Sequence, residues 1–195
     1  DHAQITELMH LLASNFRLLD KGYREYSIEI DPRTVDNGTI ALLKGVGFNR
    51  ISLGIQDFDP LVQKAVNRIQ PYKQIAPLVD CIRSHNFRSL SFDLIYGLPH
   101  QDRHTMVETL RKVISLRPDR IACYNYAHLP QRFSSQRAID RLTLPSPEEK
   151  LLLQQMISHT LQDAGYLYIG MDHYVLPGDE LALALREGRL QRNFQ

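Results

Sequence analysis

The sequence predicts an α/β fold built on parallel strands, and three observations carry that expectation. Short apolar runs fit for buried strands alternate with amphipathic helical stretches along the chain. Capping residues, prolines and glycines fall at the boundaries between the two. A polar side chain also recurs where successive apolar runs end, at Glu29, Gln56, Asp93 and the Asn125-Tyr126-Ala127-His128 stretch. A polar group in such a run costs free energy unless it is hydrogen-bonded. Its repetition at successive strands points to one shared site, placed where ligands gather at the C-terminal rim of parallel strands.

Each element follows from local chemistry. Ile5, Leu8, Met9, Leu12 and Phe16 recur at helical spacing and predict an opening helix. The first strand is Ser27-Ile28-Glu29-Ile30, ended by Asp31-Pro32. A helix carrying Ile40, Leu43 and Val46 follows, with Gly47 as its C-terminal stop. Arg50 to Gln56 forms the second strand. Asp59-Pro60 supplies an N-cap and a first-position proline for the next helix. Ile75, Leu78, Val79 and Ile82 make another stripe before the third strand, which centres on Phe92-Asp93-Leu94-Ile95. Asp102 caps a helix bearing Met106, Leu110, Val113 and Ile114, and Arg120 to Asn125 is the fourth strand. The stretch from Pro130 to Pro145 is a polar connection. Ser146-Pro147-Glu148-Glu149 then opens a helix with Leu153, Met156, Ile157, Thr160, Leu161 and Ala164 on its apolar face, closed by Gly165. Tyr166 to Gly170 is a fifth strand. About five strands fall short of the eight of a closed barrel. Two arrangements fit: a short open sheet, or part of a barrel lacking its first strands.

Composition narrows function. With 23 basic and 22 acidic residues the net charge is +1, which leaves no nucleic-acid footprint. No apolar run approaches the roughly 20 residues of a membrane span. Cys81 and Cys123 lie in apolar surroundings and read as buried thiols of a reducing, cytoplasmic compartment. Two distant cysteines cannot hold a four-iron cluster, which needs closely spaced thiolates.

The candidate residues each carry a ligand-binding reading and a structural one. Glu29 alternates with Ile28 and Ile30 and points away from them. It suits an ammonium or ribose hydroxyls, or an internal ion pair. Gln56 has both donor and acceptor for a ribose or carboxylate. Arg68 suits a bidentate carboxylate clamp, or a favourable charge at a helix C-terminus. Asp93, amid buried neighbours and ahead of Gly97 and Pro99, is the strongest single candidate, with a structural salt bridge as its alternative. His100 with His104, and Asp172 with His173, lack a third ligand, so no metal site is expected.

Taken together, these segments resemble the oxygen-independent coproporphyrinogen III oxidases, radical S-adenosylmethionine enzymes of haem biosynthesis. The matching text is Ser27 to Pro32, Gly47 to Phe58, Val66-Asn67-Arg68, Asp93 to Pro99, Asn125 to Pro130, Gly170 to His173 and Arg192-Asn193-Phe194-Gln195. The resemblance implies a partial TIM-like (β/α) barrel over residues 1–175, with 176–195 leading to a further C-terminal domain. It also implies S-adenosyl-L-methionine at Glu29, Gln56, Arg68, Asp93 and Ala127, with Ile95 packed on the adenine. In that assignment the carboxylates take the ammonium and ribose hydroxyls, Arg68 the methionine carboxylate, and the Ala127 backbone the adenine edge. The implied chemistry is oxidative decarboxylation of the propionates of coproporphyrinogen III to vinyl groups by a 5′-deoxyadenosyl radical, with an electron donor feeding a [4Fe-4S] cluster. The family's three-cysteine motif lies upstream of the text matched here, so the resemblance implies a central, by itself inactive, portion of the enzyme. An open barrel edge would favour self-association. A haem-binding chaperone of the same family is the alternative; a generic aldolase or isomerase ranks last, because no lysine or metal cluster marks the strand ends.

Overall fold

A computed structural model describes residues 2–18 and 24–191. Among the described residues one six-stranded sheet, ordered β1-β2-β3-β4-β6-β5, organises the fold. Strands β1 (Ser27–Ile30), β2 (Arg50–Gln56), β3 (Ser89–Tyr96) and β4 (Arg120–Asn125) are parallel. The final pair departs from the all-parallel expectation: β6 (His173–Val175) runs antiparallel to β4, and β5 (Leu167–Gly170) antiparallel to β6. The sheet is open, and β6 was not foreseen. A three-residue strand is too short to show a period, and its signal lies in the turn before it. Met171 and Asp172 both take positive φ, 51° and 61°, the left-handed pair that a tight two-residue hairpin demands. Asp172 therefore serves this turn, and its carbonyl accepts from Cys123 N–H at 2.9 Å.

The helices are α1 (His2–Asn15), α2 (Asn37–Gly45), α3 (Pro60–Ala65), α4 (Tyr72–Ser84), α5 (Arg103–Leu116), α6 (Pro147–Asp163) and α7 (Glu180–Arg186). Their caps are those the sequence indicates. Asp59 accepts from the N–H groups of Leu61 and Val62, and Asp102 and Ser146 each close a capping box, with Thr105 and Glu149. Gly47 follows α2 at φ 109°, letting Phe48 N–H reach back to Leu43 O. The α1 stripe is the exception. Leu8 and Phe16 remain exposed, and α1 has no fully buried residue.

The core lies on one side of the sheet. Leu53, Ile55, Phe92, Leu94, Ile121 and Cys123 pack under Ile40, Ile75, Ile82, Leu110, Ile157 and their neighbours. The alternate residues of the same strands face the other way: Glu29, Ser52, Asp93, Ile95, Ala122 and Tyr124. Ser52, Asp93 and Ile95 are part-buried, Glu29 and Tyr124 are exposed and Ala122 is buried, and the helices of the main core lie on the opposite side. The N-terminal end of that second face is closed by ion pairs. Arg50 at the start of β2 and Arg88 just before β3 meet the Glu180 carboxylate of α7; Arg120 of β4 meets Asp179 at 2.9 Å and Glu180 at 3.1 Å. Beside them Ala182 packs with Ile169 and Val175 in a small second cluster.

Phe92 is fully buried at the centre of the sheet. Replacing Phe92 by Ala should cost about 3–5 kcal/mol of stability through lost burial and the cavity left behind, read as a lowered midpoint in urea unfolding.

Candidate functional site

The uncovered face carries the candidate residues. Register sets Glu29 beside Ser52, and Gly54 beside Asp93, which in turn pairs with Ala122. The Ser52 hydroxyl donates to Asp93 Oδ2 at 2.6 Å. Burial pushes the Asp93 carboxyl above the ordinary carboxylate range, with the nearby Glu29 charge adding to the rise and the Ser52 bond opposing it. Among the described residues Asp93 forms no salt bridge, and its carboxylate is held by the Ser52 hydroxyl. Glu29 is exposed at the edge strand and lines an open cleft of about 1000 Å³ with Asp31, Arg33 and Thr39. Ile95 stands two residues beyond Asp93 on the same face, next to Tyr124.

The end of β2 is shaped for close approach. A register shift occurs between Gly54 and Gln56, and Gln56 takes φ 63°. A Cβ on Gly54 would lie 2.8 Å from Arg68 Nη2 and 2.9 Å from Gln56 Nε2, so a side chain there would displace the tips of these two side chains from over the strand. Arg68 follows the end of α3, and its side chain returns to the sheet. Nη2 donates to Gly54 O at 3.0 Å and lies 3.7 Å from Asp31, while Nε is buried without a partner. A mere helix-terminus charge would stay in solvent; this guanidinium is held at the site with a donor to spare.

Ala127 lies just past β4, exposed. Its carbonyl accepts from Gln136 Nε2 at 3.1 Å, and Gln136 Oε1 accepts from Leu129 N–H, so a side chain from the following loop fixes this backbone. The Arg192-Asn193-Phe194-Gln195 segment lies outside the described residues. His100 sits at φ 63° ahead of the Asp102 cap while His104 lies within α5, so the two do not share a helix face.

Sequence reasoning missed the network beneath the site. Asp57 is buried, its carboxylate taking bonds from Thr109 Oγ1 (2.7 Å), Asp59 N–H (2.6 Å) and Gln101 Nε2 (2.5 Å). Gln101 also accepts from Gly97 and Leu98 N–H, and Gln70 donates to the Gly54 carbonyl. The loops after β2 and β3 are thereby tied together. Burial pushes the Asp57 carboxyl up, opposed by these bonds. The only sequence signal was scattered polar residues, Asp57, Gln70 and Gln101 at loop positions and Gln63 within α3, indistinguishable from surface polarity until the fold buries them.

The site can hold a zwitterion with hydroxyls. Carboxylates lie along one stretch of the rim, a guanidinium with an unused N–H beside them, and an apolar Ile95 next to Asp93. That donor set fits S-adenosylmethionine, and the orphaned Arg68 Nε is the observation that carries the fit. It does not fit a [4Fe-4S] cluster: Cys123 is buried on the helix-covered face with its thiol pushed far up by burial, and Cys81 is half-buried on α4 near His85 rather than fully buried as expected.

Comparison with known proteins bears on the family and the fold. The model of the radical SAM superfamily matches residues 2–113. The chain is 52% identical over 192 residues to the oxygen-independent coproporphyrinogen III oxidase of Pseudomonas aeruginosa, covering 98% of this chain and 42% of that protein. For the Escherichia coli enzyme of the same name the figures are 48% over 194 residues, 99% and 42%. The chain thus spans less than half the length of these relatives. The solved structure of Escherichia coli coproporphyrinogen III oxidase, described as a radical SAM enzyme, superposes with TM-score 0.94 at 46% identity over 99% of this chain and 44% of that one. Elp3 of Methanocaldococcus infernus, at TM-score 0.57 and 14% identity over 68% of this chain and 32% of that one, shares the fold alone.

Asp93 gives a pH prediction. A carboxyl raised in the folded state binds more protons there than in the unfolded chain, so its contribution to stability falls as pH rises from about 4 through the raised value. Asp93→Asn should therefore be more stable than the parent at pH 7 and equal to it at pH 4. The difference in slope is bounded by about 1.4 kcal/mol per pH unit. Urea unfolding at pH 4, 5.5 and 7 checks this; parallel slopes in both proteins would rule Asp93 out as the titrating group.

Proposed function

The chain belongs to the radical SAM superfamily, and on that premise we propose that it is the central part of an oxygen-independent coproporphyrinogen III oxidase. Members of this superfamily use S-adenosylmethionine and a [4Fe-4S] cluster. The observation carrying the reading is the polar strand-end face holding Glu29, Gln56, Arg68, Asp93 and Ile95 in a chain about half identical, over nearly its whole length, to proteins of that name. Bound S-adenosylmethionine supplies one-electron radical chemistry in this superfamily; the residues described here bind and orient it.

In this reading Asp93 and Glu29 take the cationic amine and the ribose hydroxyls, and a ligand cation beside Asp93 holds its carboxyl ionised against the cost of burial. Arg68 donates its free Nε and remaining Nη to the methionine carboxylate. Gln56 completes the polar ring, Ile95 packs on the adenine, and the Ala127 backbone N–H meets the adenine edge. The Asp57–Gln101 network holds the β2 and β3 loops in register and acts only through that positioning. The substrate is coproporphyrinogen III, whose propionates become vinyl groups. The cluster's thiolate ligands are not among these 195 residues. An electron donor and a cytoplasmic setting go with this reading; among the described residues no helix is long and apolar enough to cross a membrane.

Equilibrium dialysis with labelled S-adenosylmethionine tests the pocket without requiring turnover. Arg68→Met should weaken binding by about tenfold or more, the loss of a charge-assisted bond. Gly54→Ala should weaken it comparably, by pushing Arg68 and Gln56 off the strand end. Unchanged affinity in both would remove S-adenosylmethionine from this face. The full polypeptide carrying this chain, anaerobic and with its cluster intact, should convert coproporphyrinogen III with loss of carbon dioxide; haem binding without such turnover would favour the chaperone reading instead.

A further inference from the structure

The rim is mixed in charge toward its β1 end, where Asp31 is paired with Arg33 at 2.6 Å and lies 3.7 Å from Arg68, near the carboxylates of Glu29 and Asp93; the region beyond β4 carries basic side chains. A pocket of about 590 Å³ there is lined by His128, Arg141 and Lys150 together with Pro130 and Leu144, and no acidic side chain contributes to its wall. A second opening of about 440 Å³ shares Lys150 and reaches Tyr96, Asn125 and Gln154, again with no acid.

Lys150 is the charged residue common to both, with Pro145 and Pro147. Its Nζ donates to Tyr126 O at 2.8 Å and stands 5.8 Å from the centroid of the Tyr126 ring. Tyr126 N–H donates in turn to Tyr96 O, so the ammonium is seated over the ends of β3 and β4. The stem reaches that position across Gly97, where a Cβ would lie 2.7 Å from Lys150 Cε. Lys150 forms no ion pair among the described residues. One carbonyl occupies one of its three donors, leaving two for a ligand. Burial pushes its pKa down, the mark of an ammonium held partly out of water without a counter-charge. The nearby acids are engaged elsewhere: Asp140 accepts from Leu142 N–H and Glu149 from Ser146 N–H.

We propose that His128, Arg141 and Lys150 form a carboxylate subsite that holds propionate groups of the tetrapyrrole substrate at the β4 end of the rim. The choice of substrate rests on the oxidase reading. The choice of carboxylate rests on charge: the open face nearer β1 carries the Glu29 and Asp93 carboxylates, whereas the pocket beyond β4 is walled by His128, Arg141 and Lys150 with no acid among its lining residues. Lys150 anchors the site because it is the most immobilised of the three, and the exposed Arg141 guanidinium closes on the carboxylate from the loop. The half-exposed Tyr124 offers an aromatic surface on the same rim for the macrocycle.

The test uses the full polypeptide with coproporphyrin III, the oxidised tetra-acid, as a fluorescent probe, and its tetramethyl ester as the uncharged control. Lys150→Met keeps the stem that packs across Gly97; Arg141→Ser alters an exposed residue. Each should weaken coproporphyrin III binding by about tenfold, Lys150→Arg should restore most of it, and ester binding should be weak and indifferent to all three. In turnover, Lys150→Met should raise KM with kcat largely kept, since the lost contact is made before and during reaction alike. Tetra-acid binding and KM unchanged in both loss variants would overturn the subsite while leaving the oxidase reading intact. Variant-sensitive binding in a protein that does not turn over coproporphyrinogen would uphold the subsite and overturn the oxidase reading.

Discussion

A parallel sheet that carries helices on one face only must solve a problem on the other. Parallel strands are normally covered on both sides, because their backbone and apolar side chains need a dry environment. Here the second face runs over Glu29, Ser52, Asp93 and Tyr124, so it is compatible with water and ligand at its C-terminal end. Its N-terminal end is closed instead by Arg50, Arg88 and Arg120 against Asp179 and Glu180 of α7. The same side-chain alternation thus produces a packed core below the sheet, an ionic plug at one end above it, and a binding surface at the other.

Precision at that surface comes from residues that are not expected to touch ligand. Asp57, Gln63, Gln70 and Gln101 are buried and hydrogen-bond to backbone groups of the loops after β2 and β3, with Asp57 also bonded to the side chains of Thr109 and Gln101. A buried network of this kind, in which Gln70 Oε1 is left without a partner among the described residues, rigidifies loops that would otherwise be the most mobile parts of the fold. Gly54 and Gly97 add the complementary device, an absent side chain. At one, Arg68 and Gln56 descend onto β2; at the other, Lys150 crosses to the end of β3.

Much of this was legible in residue order. The four parallel strands, the caps at Asp59, Asp102 and Ser146, and the stop at Gly47 all follow from local chemistry that does not depend on distant contacts. Glu29, Gln56 and Asp93 stood out because a polar group within an apolar strand needs a reason. Two things were hidden. The β5–β6 hairpin reverses direction through Met171 and Asp172, which carry none of the glycine or asparagine that usually announces such a turn. Asp57 and Gln101 resemble ordinary loop polarity until tertiary packing removes their water.

By itself, then, the sequence determined the alternation of strand and helix, the positions of their ends, and which residues had to share the strand-end rim, because these depend on periodicity and on groups within a few positions of one another. Only the tertiary structure decided which side of the sheet stays open, how the last two strands reverse, and where the Arg68 and Lys150 cations come to rest. Those outcomes depend on contacts between residues far apart in the chain, such as Arg50 with Glu180 and Asp57 with Gln101, whose energies arise only once folding has brought them together and removed the water between them.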